Sequence, residues 1–158
     1  MNVKRPARSS GDLLLFRNVE LCEAPFRALA LNFCKEVSRR GLPFQVWESY
    51  RATKTQGAYY AKGRTKPGPK VTNARPGFSP HEWGFAFDLV LDIPKINPWD
   101  TSVGLMGYWQ QMGATAEEFG LQWGGRWRWK DYPHVQLPNW RKHRPDNWKE
   151  LVRYRLGG

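Results

Sequence analysis

The residues able to do chemistry in this 158-residue chain are few, because it contains only three histidines, His81, His134 and His143. Asp88 follows His81 by seven positions and lies in the middle of the almost wholly apolar run 85–91. An unpaired carboxylate in a buried strand is costly, so we expect Asp88 to meet a cation, a hydrogen-bond network or a metal. Two imidazoles and one carboxylate form a three-ligand zinc set that leaves a fourth position for water.

Residue types alone leave other arrangements of these side chains open. His81 lies in a loop that it could cap, and His134, at the start of a short strand, could pack in the core. Asp88 could pair with one of the many arginines instead of a metal. His143 is expected to be an exposed histidine without a ligand role.

The elements that must position these residues follow from the apolar pattern and from turn residues. In the segment 24–40 apolar residues recur at three- and four-residue steps, which predicts an amphipathic helix closed by Gly41. Thr53, Asp100 and Asp146 are the expected caps of later helices. Helices and short strands are mixed without regular βαβ alternation, which indicates an α+β fold. The remaining predicted elements are helices over 53–62, 101–119 and 146–155, strands over 44–49, 85–91 and 134–137, and a functional loop over 63–78.

The length suits a single domain, residues 1–158, in which 1–12 form a loose basic lead. Within Met1–Leu15 the apolar run begins only at Leu13, and it is too short for the core of a signal peptide. No stretch is long enough to cross a membrane. We therefore expect synthesis in the (host) cytoplasm without a signal peptide, so that a target outside the membrane is reached only after release.

Composition points to anionic partners but does not choose among them. The net charge is +11, from 25 Lys and Arg against 14 Asp and Glu, and nine residues are Trp. Such a surface favours nucleic acid, anionic membrane or acidic wall polymer, and a basic, Trp-rich chain could bind single-stranded nucleic acid by stacking. The densest basic cluster, 141–144, is expected to be solvated surface. If Cys22 and Cys34 lie on one helix, they are too far apart for a disulfide, and both are predicted to be free thiols.

Three separated motifs resemble those of the VanY-type metallopeptidases. Ser79 to Asp88 reads Ser-Pro-His-Glu-Trp-Gly-Phe-Ala-Phe-Asp, which is similar to the family signature Ser-x-His-x-x-Gly-x-Ala-x-Asp. The second half of the signature is similar to Gly120-Leu-Gln-Trp-Gly-Gly followed by Asp131-Tyr-Pro-His134. Upstream, Ser49-Tyr-Arg51 with Gln56 resembles a further family element. The resemblance is strongest to the L-alanyl-D-glutamate peptidases of phage endolysins and bacterial wall hydrolases.

The resemblance implies a role for each matching residue. His81, Asp88 and His134 match the ligands of one zinc ion, and Asp131 matches the general base. Arg51 matches the arginine that stabilises the oxyanion or holds the substrate, although it could instead form a salt bridge to Asp88. Asp131 could instead be a turn residue before Pro133. Ser79 and Gln56 match pocket residues.

What the resemblance implies for the whole chain is a small domain with a central antiparallel sheet flanked by helices, of the D,D-peptidase/Hedgehog-like type. The expected activity is zinc-dependent cleavage of the peptidoglycan stem peptide by a monomeric lytic enzyme, without nucleic-acid binding or membrane insertion. A D-alanyl-D-alanine carboxypeptidase and a non-enzymatic zinc or nucleic-acid binder are the alternatives. Arg126 stands where family members often carry an acidic residue. Glu82 and Asp92 fall outside the matching positions and are expected at the surface or at a strand end.

Overall fold

The computed structural model of the protein describes residues 19–158, so the predicted lead over 1–12 and the apolar run within Met1–Leu15 lie outside the described residues. Short 3-10 turns at Val19–Leu21, Pro80–Trp83, Gly124–Arg126 and Trp140–His143 link the larger elements. The helices are α1 (Ala24–Arg39), α2 (Thr53–Ala61), α3 (Val103–Glu118) and α4 (Trp148–Leu156), and the strands are β1 (Phe44–Glu48), β2 (Ala86–Leu91), β3 (Gln122–Trp123) and β4 (His134–Gln136).

The four strands form one antiparallel sheet in the order β1-β2-β4-β3. Each strand is antiparallel to its neighbour, and helices and strands are mixed along the chain without parallel βαβ units, which confirms the α+β prediction. Strand β3 has only two residues and was not among the predicted strands. Two residues are too few to show the alternation that predicts a strand, and β3 is recognised only by its pairing with β4.

One face of the sheet packs on α1 and α3 to form the core. Phe87 on β2 contacts two phenylalanines of α1, with ring centroids 5.8 Å from Phe26 and 5.7 Å from Phe33. Phe44 on β1 meets Trp109 of α3 edge to face at 4.9 Å. The predicted apolar stripe of α1 is therefore its buried face, and the residues of the opposite sheet face remain available for a site.

The predicted helix caps were wrong by one or two residues. Helix α2 begins at Thr53 itself after Ala52, α3 follows Ser102, and α4 follows Asn147. Asp100 does not cap α3 because its Oδ1 accepts the backbone N–H of Ser102 at 2.8 Å. An Asp side chain bonds readily to the backbone two residues on, and this turn delays the start of the helix.

A β-bulge near the end of β1 changes which side chains face the site. Val46 lies opposite Leu89 in the core register, but the next pair is Glu48 with Asp88, so two residues of β1 oppose one of β2. Strict alternation from Val46 would have put Glu48 on the core face. The extra residue brings Glu48 to the face that carries Asp88, which is a common use of bulges beside functional sites.

Cys22 and Cys34 are buried free thiols, as predicted. Burial raises the pKa of Cys22 to about 12, against the smaller lowering effect of Arg27. Within residues 19–158, no helix has the length and apolar composition needed to cross a bilayer.

Candidate metal centre and its cavity

His81, Asp88 and His134 meet on the sheet face opposite the core. Asp88 and His134 are register partners on β2 and β4, so their side chains point the same way from adjacent strands. His81 comes from the 3-10 turn Pro80–Trp83, which ends at Gly84 in a left-handed conformation and leads directly into β2. Side chains separated by more than fifty positions are therefore brought together by one strand pair and one turn.

The three side chains form a triangle of ligand atoms. His81 Nε2 lies 3.2 Å from His134 Nδ1 and 3.3 Å from Asp88 Oδ1, and His134 Nδ1 lies 3.2 Å from the same Asp88 oxygen. Zinc ligands at about 2.0–2.1 Å in a tetrahedron lie roughly 3.3 Å from one another. The spacing of the three atoms is thus that of three ligands around a zinc-sized ion.

Partners outside the triangle decide which nitrogen of each histidine faces it. His81 Nδ1 lies 2.7 Å from the carbonyl oxygen of Ser49, which can only accept, so Nδ1 carries the proton and donates it. His134 Nε2 lies 2.9 Å from Gln136 Oε1, and Gln136 Nε2 in turn donates to Gln122 Oε1 at 2.6 Å. Neutral imidazoles held in this way present lone pairs to the triangle, which suits a cation.

The charges in the triangle also favour a cation. Burial disfavours ionisation of Asp88, but His81 and His134, when they are protonated, outweigh burial through their charges and hydrogen bonds and hold the pKa of Asp88 well below its usual range. Burial lowers the pKa of His134, and the hydrogen bond and charge of Asp88 raise it above its ordinary value overall. A carboxylate that stays ionised beside two imidazoles attracts positive charge to this point.

Arg51 lies beside the triangle and is held there by two residues. Its guanidinium pairs with Glu48 through Nε at 3.0 Å and through Nη2, and its Nη1 donates to Gln56 Oε1 at 2.8 Å. Nη2 lies 3.7 Å from Asp88 Oδ2, so the alternative of a salt bridge to Asp88 is present only as a long contact. Burial lowers the pKa of Arg51, but Glu48 and Asp88 raise it overall and keep the group charged.

Gln56 is fully buried behind Arg51 and does not line the cavity. While it accepts from Arg51, its Nε2 donates to the carbonyl of Ala74 at 2.7 Å and to Thr72 Oγ1 at 3.3 Å. The resemblance implied a pocket residue at this position. The hydrogen bonds of Gln56 join Arg51 to the loop 72–74. Gln56 would therefore affect a bound ligand only by positioning Arg51 and this loop.

Glu82 is buried, so the expectation that it lies at the surface was wrong. Its carboxylate accepts the backbone N–H of Gly77 at 2.8 Å and of Ser79 at 3.1 Å. Burial raises the pKa of Glu82, and these backbone hydrogen bonds lower it in part. Glu82 thereby fixes the loop that precedes His81, and Ser79 lines the cavity within that loop.

Asp131 lies in the same cavity, on the loop that follows the paired glycines. Its backbone N–H donates to Gly124 O at 3.1 Å, and a Cβ at Gly124 would come 2.4 Å from the carbonyl oxygen of Asp131. Burial of the carboxyl raises the pKa of Asp131, His134 lowers it in part, and the charge of Asp88 adds a smaller rise. The residue is exposed on its outer side, so a base here can exchange protons with solvent.

The cavity that contains the triangle has a volume of about 1180 Å³. It is lined by Arg51, Ser79 and Asp131 together with the three triangle residues. Arg126 does not line it, because its guanidinium pairs with Glu117 at 2.9 Å on α3. His143 is exposed and stacks near Phe85 at 5.8 Å, apart from the triangle.

Sequence reasoning missed three polar residues of this face, Glu48, Gln122 and Gln136. Gln136 had a detectable signal, because it is two residues after His134 and must share its face of a strand. Gln122 pairs with Gln136 in register, but only the unpredicted strand β3 reveals this. Glu48 reaches the site through the bulge in β1, and no pattern in the sequence indicates the bulge.

Comparison with known proteins adds an independent line of evidence. Residues 72–137 match a peptidase family model described as D-alanyl-D-alanine carboxypeptidase. The chain is 36% identical over 109 residues to the peptidoglycan L-alanyl-D-glutamate endopeptidase CwlK of Bacillus subtilis (strain 168), an alignment that includes 65% of this chain. The chain spans 65% of the length of that relative.

Two solved structures share the fold. The L-Ala D-Glu endopeptidase ChiX of Serratia marcescens superposes with a TM-score of 0.58 at 22% identity, covering 85% of this chain and 98% of that chain. DacB from Streptococcus pneumoniae D39 superposes with a TM-score of 0.54 at 19% identity, covering 84% of this chain and 72% of that chain. At 22% and 19% identity, these comparisons show a shared arrangement of helices and strands, that is, a shared fold.

Proposed function

We propose that the chain belongs to the M15 peptidase family and is a zinc-dependent endopeptidase that cleaves the peptidoglycan stem peptide at the L-alanyl-D-glutamate bond. The observation that carries the proposal is the triangle of His81, Asp88 and His134 beside Arg51 and Asp131 in one cavity. The relative CwlK supports the choice of bond, because its name gives this specificity and it is 36% identical to this chain.

One zinc ion would be held by His81 Nε2, Asp88 Oδ1 and His134 Nδ1. A bound zinc ion polarises a carbonyl and lowers the pKa of a water molecule, which makes hydrolysis possible at neutral pH. Three protein ligands leave a position open for substrate or water, as in other catalytic zinc sites. The triangle fits this ion because its three atoms are all acceptors at tetrahedral spacing.

The protein's own groups would carry the proton and stabilise the developing charge. Asp131 takes the proton of the attacking water and delivers it to the nitrogen of the leaving residue. Arg51, held rigid by Glu48 and Gln56, donates to the oxygen that becomes negative as the carbonyl carbon turns tetrahedral. Ser79, in the cavity wall, is proposed to contact the peptide.

The proposed physiological role is that of a monomeric, endolysin-type lytic enzyme, of phage or bacterial origin. In this role the protein acts on the wall after its release and binds neither nucleic acid nor membrane. Purified protein added to bacteria with accessible walls should then reduce turbidity. Intact turbidity combined with cleavage of isolated peptidoglycan would limit the proposal to a wall hydrolase without a lytic role.

A D-alanyl-D-alanine carboxypeptidase is the second candidate, and the description of the matching family model favours it. The two activities leave different products from the same substrate. Digestion of purified peptidoglycan followed by mass spectrometry should yield fragments that end in L-alanine and begin with D-glutamate. Free D-alanine as the sole product would instead establish the carboxypeptidase.

The mechanism makes a prediction for metal removal and for Asp131→Ala. Chelator should abolish wall hydrolysis and added zinc should restore it, because the triangle supplies the ion's ligands. Asp131→Ala should lower kcat by about 10²–10⁴-fold, the usual contribution of a positioned base, while zinc content stays at one ion per chain. Asp146→Ala, an exposed aspartate outside the cavity, is the control. Full hydrolytic activity of Asp131→Ala would contradict the mechanism.

A further inference from the structure

The wall of the cavity carries cations that no carboxylate of residues 19–158 neutralises. The ion pairs within this part of the chain use other basic side chains, chiefly Arg39, Arg40, Arg51 and Arg126. The remaining basic residues of the cavity lining are all exposed, and they are Lys62, Lys70, Arg128, Lys130 and Arg141. Their charge is thus available to a ligand that enters the cavity.

The carboxylates of the cavity lining already have functions. Glu48 pairs with Arg51, Asp88 belongs to the metal triangle, and Asp131 is the proposed base. A ligand that balances the free cations must therefore bring its own negative charge. Among peptides that contain the same scissile bond, the cavity should therefore favour those with a negative charge.

Two of the cations are held next to the base by a tight loop. The N–H groups of Trp127 and Asp131 both donate to the carbonyl of Gly124 at 3.1 Å, so the two ends of the segment 127–131 are pinned to one atom. Arg128 and Lys130 lie between these ends, and Lys130 directly precedes Asp131 in the chain. Because Asp131 would return a proton to the leaving nitrogen, the leaving residue must lie beside this loop.

The leaving residue in the proposed reaction is a glutamate, which has two carboxyl groups. A linear stem peptide uses only one of them to continue the chain, so the other is free unless it is amidated. We propose that Arg128 and Lys130 bind this free carboxylate, and that the enzyme therefore selects stem peptides with an unmodified D-glutamate over those with an amidated one. The inference rests on the proposed function, because it assumes that D-glutamate provides the leaving amine.

The test compares two synthetic peptides that differ only in that carboxyl group, one free and one amidated. Charge-assisted hydrogen bonds are the stronger class of contact, and the loss of one or two should lower kcat/KM by about 10- to 100-fold on the amidated peptide. The double variant Arg128→Gln/Lys130→Gln should bring the ratio of the two kcat/KM values close to one, mainly through KM for the free acid.

The control removes the same charge elsewhere. Lys142→Gln/Lys149→Gln changes two exposed lysines outside the cavity lining, and it should keep the wild-type ratio. Equal cleavage of both peptides by the wild-type enzyme would overturn the inference and leave the proposed function standing. The same ratio in both double variants would show that the selectivity arises elsewhere, and would also overturn it. Failure to cleave either peptide, or any intact wall fragment, would overturn the proposed function itself.

Discussion

At the scale of single residues, the metal triangle depends on groups that do not touch the ion. Each imidazole donates from its outer nitrogen, His81 to Ser49 O at 2.7 Å and His134 to Gln136 Oε1 at 2.9 Å. The outer hydrogen bond selects the tautomer and the ring orientation, and such partners commonly affect metal affinity. Mutation can remove the hydrogen bond between Gln136 and His134, which uses a side chain. It cannot remove the one between Ser49 and His81, which uses the backbone carbonyl.

Replacement of Gln136 by leucine should weaken zinc binding by about 10–100-fold, the usual cost of losing an outer partner of a ligand. Leucine has a similar volume but cannot accept the proton of His134 Nε2, so the ring loses its preferred orientation. Competition against a chromophoric chelator measures the affinity. Gln111→Leu, an exposed change on α3, is the matched control. Unchanged affinity in Gln136→Leu would contradict the positioning role.

The sequence indicates the metal ligands better than it indicates their surroundings. Two histidines and a buried aspartate are rare enough in this chain that their chemistry is visible without a structure. The outer partners are glutamine, glutamate and a backbone carbonyl, which occur at many surfaces and carry no spacing signal. Glu82 shows the limit of this reasoning, because its acidity predicted exposure whereas two backbone N–H groups make its burial favourable.

At the scale of elements, Trp123 ties helix α3 to the loop that carries the base. Its indole lies against two glycines, since a Cβ at Gly113 would come 2.1 Å from the ring and one at Gly125 would come 2.2 Å from it. The indole Nε1 donates to Tyr132 O at 2.8 Å, next to Asp131. The close approach explains why glycine stands in the interior of α3 at Gly113, despite its low helix propensity.

Gly113→Ala should lower the free energy of unfolding by about 1–3 kcal/mol, because the added methyl group overpacks the contact with Trp123. Gly107→Ala provides a matched control in the same helix, where a Cβ has no neighbour within 4 Å. It should raise the free energy of unfolding by roughly 0.5–1 kcal/mol through helix propensity. Urea unfolding followed by circular dichroism measures both. Equal effects of the two changes would be inconsistent with the packing described.

Helices and the longer strands were predicted well. Apolar periodicity indicated α1, whereas cap and stop residues indicated the later helices and short apolar or alternating runs indicated the strands. Irregular features were not predicted. Strand β3 is defined only by its pairing with β4, and the bulge in β1 is defined only by its pairing with β2. The expectation that the basic cluster 141–144 is solvated surface also missed contacts that only the fold creates. Arg144 is not merely solvated, because it stacks 3.9 Å from the Trp148 ring centroid and donates to Gly77 O at 3.0 Å.

At the scale of the whole molecule, six of the 25 Lys and Arg residues line the cavity within residues 19–158, and the other basic residues lie elsewhere along the chain. The triangle, Arg51 and Asp131 lie within one cavity, whereas the net charge of +11 arises from basic residues spread along the chain. Fields from spread surface charge act on association with a polymer, and they have little effect on the geometry of a buried site. The proposed attraction to an anionic wall should therefore be separable from turnover by experiment.

Raising the NaCl concentration from 0.05 to 0.5 M should slow lysis of intact walls much more than it lowers kcat on a short soluble peptide. The screening length falls from about 10 Å at 0.1 M to about 3 Å at 1 M, so long-range attraction to an anionic polymer is lost while contacts inside the cavity persist. Initial rates of turbidity loss, compared with peptide hydrolysis at saturating substrate, measure the two effects. Walls stripped of their anionic polymers are the control and should show little salt dependence. If salt slowed native and stripped walls equally, the net charge would have no part in wall association, and affinity would have to come from the cavity alone.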